Sequence, residues 1–139
     1  MKNIAYKVID RLFIVVYGGK DPTDDEWVGY LREVERHGIE RTMQLISTDG
    51  GGPTATQRRY LNELLAGRTV PVAVMSGSTP IRGMVTALSW FNREIRAFPP
   101  TGLSDALDYL QVPQSRIDLI QREMLKLRAS LGSDERATA

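Results

Sequence analysis

The sequence contains no cysteine and a single histidine, His37. Without thiols the chain has no disulfide, no thiol nucleophile and no cysteine-ligated zinc. One histidine leaves a Ser-His-Asp relay a single place to form, with Ser47 and Asp49 as its other members, and no G-x-S-x-G elbow accompanies it. Beside Gly38 at a helix end, His37 reads instead as a helix-terminus residue facing the negative pole. Long apolar runs are also missing: LFIVVYGG and VPVAVM fall far short of the roughly 20 residues that cross a bilayer. The first residues lack the charged start, apolar middle and small-residue cleavage site of a secretory signal, which sets the expectation of a cytoplasmic protein. Nor does charge of one sign dominate. With 18 Lys and Arg against 17 Asp and Glu, no global field draws in nucleic acid or an anionic membrane.

What is present describes one ordinary domain. A chain of 139 residues with 42% hydrophobic and 25% charged residues has enough apolar surface for a core without staples. IAYKVI and LFIVVY are strand-like runs separated only by Asp10 and Arg11, an antiparallel hairpin. PTDDEW then opens a helix, with Thr23 as N-cap, Glu26 completing a capping box, and Trp27, Leu31 and Val34 as its buried stripe up to Gly38. TMQLIS is the next strand; Tyr60, Leu61, Leu64 and Leu65 form the following helix face, ended by Gly67. VPVAVM is a buried strand, STPIRGMVTALSWF a helix capped by Thr79 with Asn92 near its end, and IRAF a last strand stopped by Pro99 and Pro100. GLSDALDYL and SRIDLIQREMLKLRASL are the closing helices. The order predicts an α/β fold in one domain, 1–131: a mixed, mostly parallel sheet of about five strands with helices on both faces, a core over 4–112 and a C-terminal amphipathic helix over 113–131. Residues 132–139 are expected to fray.

The stretch STDGGGPTATQRR sets three glycines and two threonines between a strand and a helix. It lacks the lysine and spacing of a P-loop, and YGGKDPTDDEW does not match a dinucleotide fingerprint. DPTDDE lacks the alternating oxygens, glycine and terminal glutamate of a calcium loop. A phosphorelay receiver would find an aspartate at Asp49 and a hydroxyl at Ser76 or Ser78, but IRAFPP supplies no lysine after the last strand. No metal, organic cofactor or catalytic centre is expected.

The stretches LFIVVYGGKDPTDDEW, LISTDGGGPTATQRRYLNELL and VAVMSGSTPIRGMVTALSWFN, each a strand turning into a capped helix, resemble the STAS domain family of anti-sigma-factor antagonists. The likeness is to its SpoIIAA-like branch and covers roughly Ile4 to Val112. The resemblance implies a non-enzymatic regulator that binds another protein, such as a kinase, and is switched by phosphorylation at the start of the helix after the middle strand. That place holds Thr54 and Thr56, although glycines stand where the family puts its serine. The branch also implies a rival, a module that binds an apolar or anionic small ligand.

Physics points to the same edge. Open α/β sheets gather ligands outside the carboxyl ends of their strands, where helix N-termini present free amides. Asp49, Gly51, Gly52, Arg58 or Arg59, Ser78, Thr79 and Arg82 are the partner- or anion-binding candidates there. The alternative is that Thr54, Thr79, Pro53 and Pro80 only shape helix starts while the arginines extend into solvent. Ile117, Ile120, Met124, Leu127 and Leu131 form an apolar seam that either covers the domain's own sheet or joins two copies as a homodimer.

Overall fold

The two runs flanking Asp10 pair as expected. In the computed structural model, which describes residues 2–90 and 92–138 and the side chains of these up to Leu131, β1 (Ile4–Ile9) and β2 (Leu12–Tyr17) form an antiparallel hairpin. Asp10 turns it in the left-handed region at φ 57°, a conformation that aspartate tolerates better than most residues. β2 then pairs in parallel with β3 (Met43–Thr48), β3 with β4 (Val72–Met75) and β4 with β5 (Ile95–Phe98), so the sheet order is β1-β2-β3-β4-β5. Every residue of β2 is buried, as befits an inner strand covered on both faces.

Alternation along the strands divides the core. Phe13, Val15, Tyr17, Val72 and Val74 face α1 (Asp24–His37), α2 (Ala55–Leu65) and α3 (Thr79–Leu88). Leu12, Ile14, Leu45, Ala73 and Met75 face α4 (Leu103–Tyr109) and α5 (Ile117–Thr138). The seam of α5 lies on this second face: Ile120 is buried with Leu107 and Leu110, and Leu131 with Ala5 and Val16. It covers the domain's own sheet. α5 continues to Thr138 through the stretch expected to fray, while the side chains of 132–138 and residue 139 lie outside the described residues.

Several local expectations are corrected. Ser78, not Thr79, caps α3, accepting from the Ile81 amide, and Thr79 is the first helical residue. α3 ends at Leu88, leaving Trp90 78% exposed, while Asn92 lies beyond the helix and holds both the amide and carbonyl of Val70. The inward residues of α2 include Gln57, Leu61 and Leu65, whereas Tyr60 is 45% exposed. That helix stops at Ala66 in the left-handed conformation, one residue before Gly67. No helix among the described residues is long and apolar enough to cross a membrane.

Candidate functional site

The three glycines occupy three different environments. Gly50 has φ 129°, outside the usual range of L side chains, and its amide donates to the Thr48 hydroxyl. Gly51 lies against the loop after β2: its amide donates to the Gly18 carbonyl at 2.9 Å, and a Cβ there would sit 2.1 Å from the Lys20 carbonyl oxygen. Gly52 donates to the Asp21 carboxylate at 3.2 Å. The chain therefore fills its own anion site, because the carboxylate of Asp21 takes an amide that a ligand's phosphate would need. Thr54 forms a capping box with Gln57: its hydroxyl accepts from the Gln57 amide, and the Gln57 side chain accepts from the Thr54 amide. Gln57 also donates to the Pro22 carbonyl and Asp24, and its own carbonyl accepts from the Trp27 indole, so the starts of α1 and α2 are tied together.

Behind these loops, between the sheet and α1 to α3, lies a partly open cavity of about 110 Å³. Its wall is almost wholly apolar, formed by Trp27 and Leu31 of α1, Leu61 and Leu65 of α2, and Ile81 and Val85 of α3. Sheet residues including Tyr17, Ile46 and Val74 make the floor, and Gly52 and Pro53 the wall next to the loop. Most polar groups that border it are satisfied within the protein. The Tyr30 hydroxyl donates to Gln44, whose amide donates to Thr42, and the Thr48 hydroxyl donates to the Gly51 carbonyl. Burial pushes the Tyr30 phenol far above its ordinary pKa, so it remains a donor.

No protein-family model matches the chain, and no curated protein matches it. A solved structure from Shewanella loihica PV-4, described as an uncharacterised protein of the DUF3478 family with a SpoIIAA-like fold, superposes with a TM-score of 0.56 at 18% identity. The match covers 79% of this chain and 95% of that one. The chain has a SpoIIAA-like fold.

On this SpoIIAA-like scaffold the sequence candidates separate into distinct roles. Asp49 is paired with Arg128 of α5 at 3.2 Å, and Arg128 also donates to the Ser47 hydroxyl at 3.0 Å. Arg58 turns back onto the Pro53 carbonyl at 2.8 Å, and Arg59 is exposed next to it on α2. Arg82 is exposed on α3, beside Thr79. The loop of Gly52 meets Ile81 and Met84, so the starts of α2 and α3 do adjoin, as the sequence implied. Thr54 is half-buried, and Thr56 is exposed on the first turn of α2. Ser76 is buried and its hydroxyl accepts from the Ser78 amide.

The hydrolase arrangement does not assemble in this SpoIIAA-like domain. His37 stacks edge-on against Phe13, 5.3 Å away on the α1 side, and Phe13 pairs with Gln44, three residues before Ser47. Ser47 is held by Arg128 of α5, which packs on the opposite face. The sheet thus stands between the histidine and the serine. Among the described residues no cluster of three or more metal-ligating side chains occurs. Sequence reasoning missed the Arg128 contact and the cavity.

Proposed function

We propose that the chain is a non-enzymatic binding module that holds a small apolar molecule between its sheet and helices α1 to α3. One observation carries this reading: a partly open cavity of about 110 Å³ with an apolar wall, between the sheet and helices α1 to α3. Voids are unfavourable. The side chains lining this partly open space forgo dispersion contacts that a filled core would make. An occupant recovers that loss by restoring dispersion contacts and removing its own apolar surface from water. In size the space, smaller than the apolar cavity of about 150 Å³ that holds benzene, suits a short alkyl chain or, with a small outward shift of its wall, a single ring.

Toluene is a suitable probe. At ten times its Kd it should raise stability by about 1.4 kcal/mol, or roughly 5 °C in Tm for a domain of this length. Val85→Phe, which fills the space from α3, should raise Tm by itself and abolish the response to toluene. No toluene response in the full chain, or an equal response in Val85→Phe, would contradict the reading.

A second reading, a regulator of a partner protein switched at threonine, is favoured by the exposure of Thr56 on the first turn of α2, next to Arg59. A phosphate on that turn would lie at the positive end of the helix and change the charge presented at the carboxyl edge. Affinity capture from the native host followed by mass spectrometry tests it: a stable partner lost with Thr56→Glu supports the switch, and unchanged capture by Thr56→Glu and Thr54→Asp removes it.

A further inference from the structure

One edge of the sheet carries a row of unpaired backbone groups. The Gly18 amide donates to the Asn3 carbonyl at 3.3 Å, and Ile9 faces Leu12 across the turn of Asp10 and Arg11, so Ala5, Lys7 and Ile9 spend their backbone groups on β2. Ile4, Tyr6 and Val8 then direct their amides and carbonyls away from β2, and among the described residues nothing bonds them there. Ile4 is only 6% exposed, which leaves its amide and carbonyl little water as a substitute partner. Natural sheets guard such edges with charge, proline or shortness. The opposite edge, β5, has four residues and is followed by Pro99 and Pro100. β1 has six residues and no proline, and its one charged side chain, Lys7, is drawn onto Glu123 of α5 at 3.2 Å. Its edge is unguarded.

We propose that β1 is the interface of a homodimer, in which the β1 strands of two copies pair antiparallel about a two-fold axis at Tyr6. The outward-facing residues set this register. Centred on Tyr6, Ile4 lies opposite Val8 of the second copy and Tyr6 opposite its own counterpart, so all three residues exchange both hydrogen bonds with their partners and the two sheets join into one. The facing side chains agree with it. Ile4, Tyr6 and Val8 lie on the α1 side with Phe13 and Tyr30, and their cross-strand pairs are aliphatic with aliphatic and aromatic with aromatic. On the α5 side, Lys7 falls opposite Ala5 of the second copy. Moving the axis to Lys7 would set two lysines face to face, and moving it to Ala5 would leave Val8 opposite Lys2, beyond the strand. A second copy of this chain therefore matches the edge in backbone, shape and charge at once. The interface stands on the opposite side of β2 from the rest of the sheet and is independent of any ligand in the cavity.

Sedimentation equilibrium of the full chain over a wide range of concentration tests the pairing, together with amide hydrogen exchange read residue by residue by NMR. The fitted mass should rise from the 15.6 kDa of one chain to twice that value. As it does, the amides of Ile4, Tyr6 and Val8 should become protected, whereas those of Ala5, Lys7 and Ile9, which bond β2, should be protected at every concentration. Val8→Pro removes an outward N–H without touching the β2 ladder, so it should keep the fold and weaken the dimer about ten-fold or more. The mass of one chain at every concentration would overturn the proposal and leave the edge to an extended segment of another protein. A dimer whose Ile4, Tyr6 and Val8 amides exchange as fast as in the monomer would overturn it too, because its interface would lie elsewhere. So would a Val8→Pro dimer of wild-type strength. If Val8→Pro fails to fold, the exchange pattern of the wild-type chain decides by itself.

Discussion

Alanine placed in turn at Gly50, Gly51 and Gly52 should produce three distinct losses of stability, because the three positions are constrained differently. At Gly51 a Cβ would lie 2.1 Å from the Lys20 carbonyl oxygen and 2.7 Å from that of Gly18. Both are backbone atoms, so the loop after β2 must move by about 1 Å. That movement breaks the Gly51-to-Gly18 hydrogen bond, worth about 1 kcal/mol, and weakens the Gly52-to-Asp21 bond. Adding about 1–3 kcal/mol of overpacking gives a loss of about 2–4 kcal/mol for Gly51→Ala. Gly50→Ala meets no atom within 4 Å but must adopt φ 129°, at about 1–3 kcal/mol. Gly52→Ala meets the ends of two flexible side chains, Ile81 and Met84, at 3.4 Å and should lose less than about 1 kcal/mol. Urea titrations of the three variants read these losses directly. A Gly51→Ala loss below about 1 kcal/mol, or a Gly52→Ala loss equal to it, would refute the claim that the two loops dock backbone to backbone.

Thr54→Ala should lose about 1 kcal/mol of stability through the cap of α2, while Thr54→Asp should remain within a few tenths of the wild type; urea midpoints check both. Tyr30→Phe leaves Gln44 Oε1 without its donor and should lose about 1–3 kcal/mol in the same assay. Burial raises the pKa of Glu26, but hydrogen bonds from Asn3 and Thr23 outweigh it and hold the carboxyl below its ordinary value. Because the folded value is the lower one, this stabilisation is present above the unfolded pKa of about 4.3 and is lost as pH falls through the folded value, so Glu26→Gln should flatten the acid limb of a stability-against-pH curve. Arg128→Ala removes an exposed pair and should change stability by less than about 1 kcal/mol, measured by thermal melting.

The legible parts of the sequence were those determined by neighbours. Thr23 with Glu26 and Thr54 with Gln57 are three residues apart, and both capping boxes form. The hairpin at Asp10 and the strand order likewise follow from short connections and alternating burial. Contacts between distant segments were not legible. Asp49 and Arg128 lie 79 residues apart and meet only because α5 returns across the sheet. Gln57 was overlooked as a buried residue because periodicity follows apolar side chains, and its burial depends on Pro22, Asp24 and Trp27 arriving from α1. Gly51 makes room for another loop, a requirement that no local spacing carries. The cavity has no sequence signature, because it depends on how far three helices stand from the sheet.

The most direct test of the account is methyl-detected NMR of the isotope-labelled full chain titrated with toluene. The account predicts saturable shifts at the methyl groups of Leu61, Leu65, Val74, Ile81 and Val85, which line the cavity, with those of Leu107 and Ile120 on the opposite face unmoved. Shifts concentrated on the α4 and α5 face, or none at saturating toluene, would contradict it.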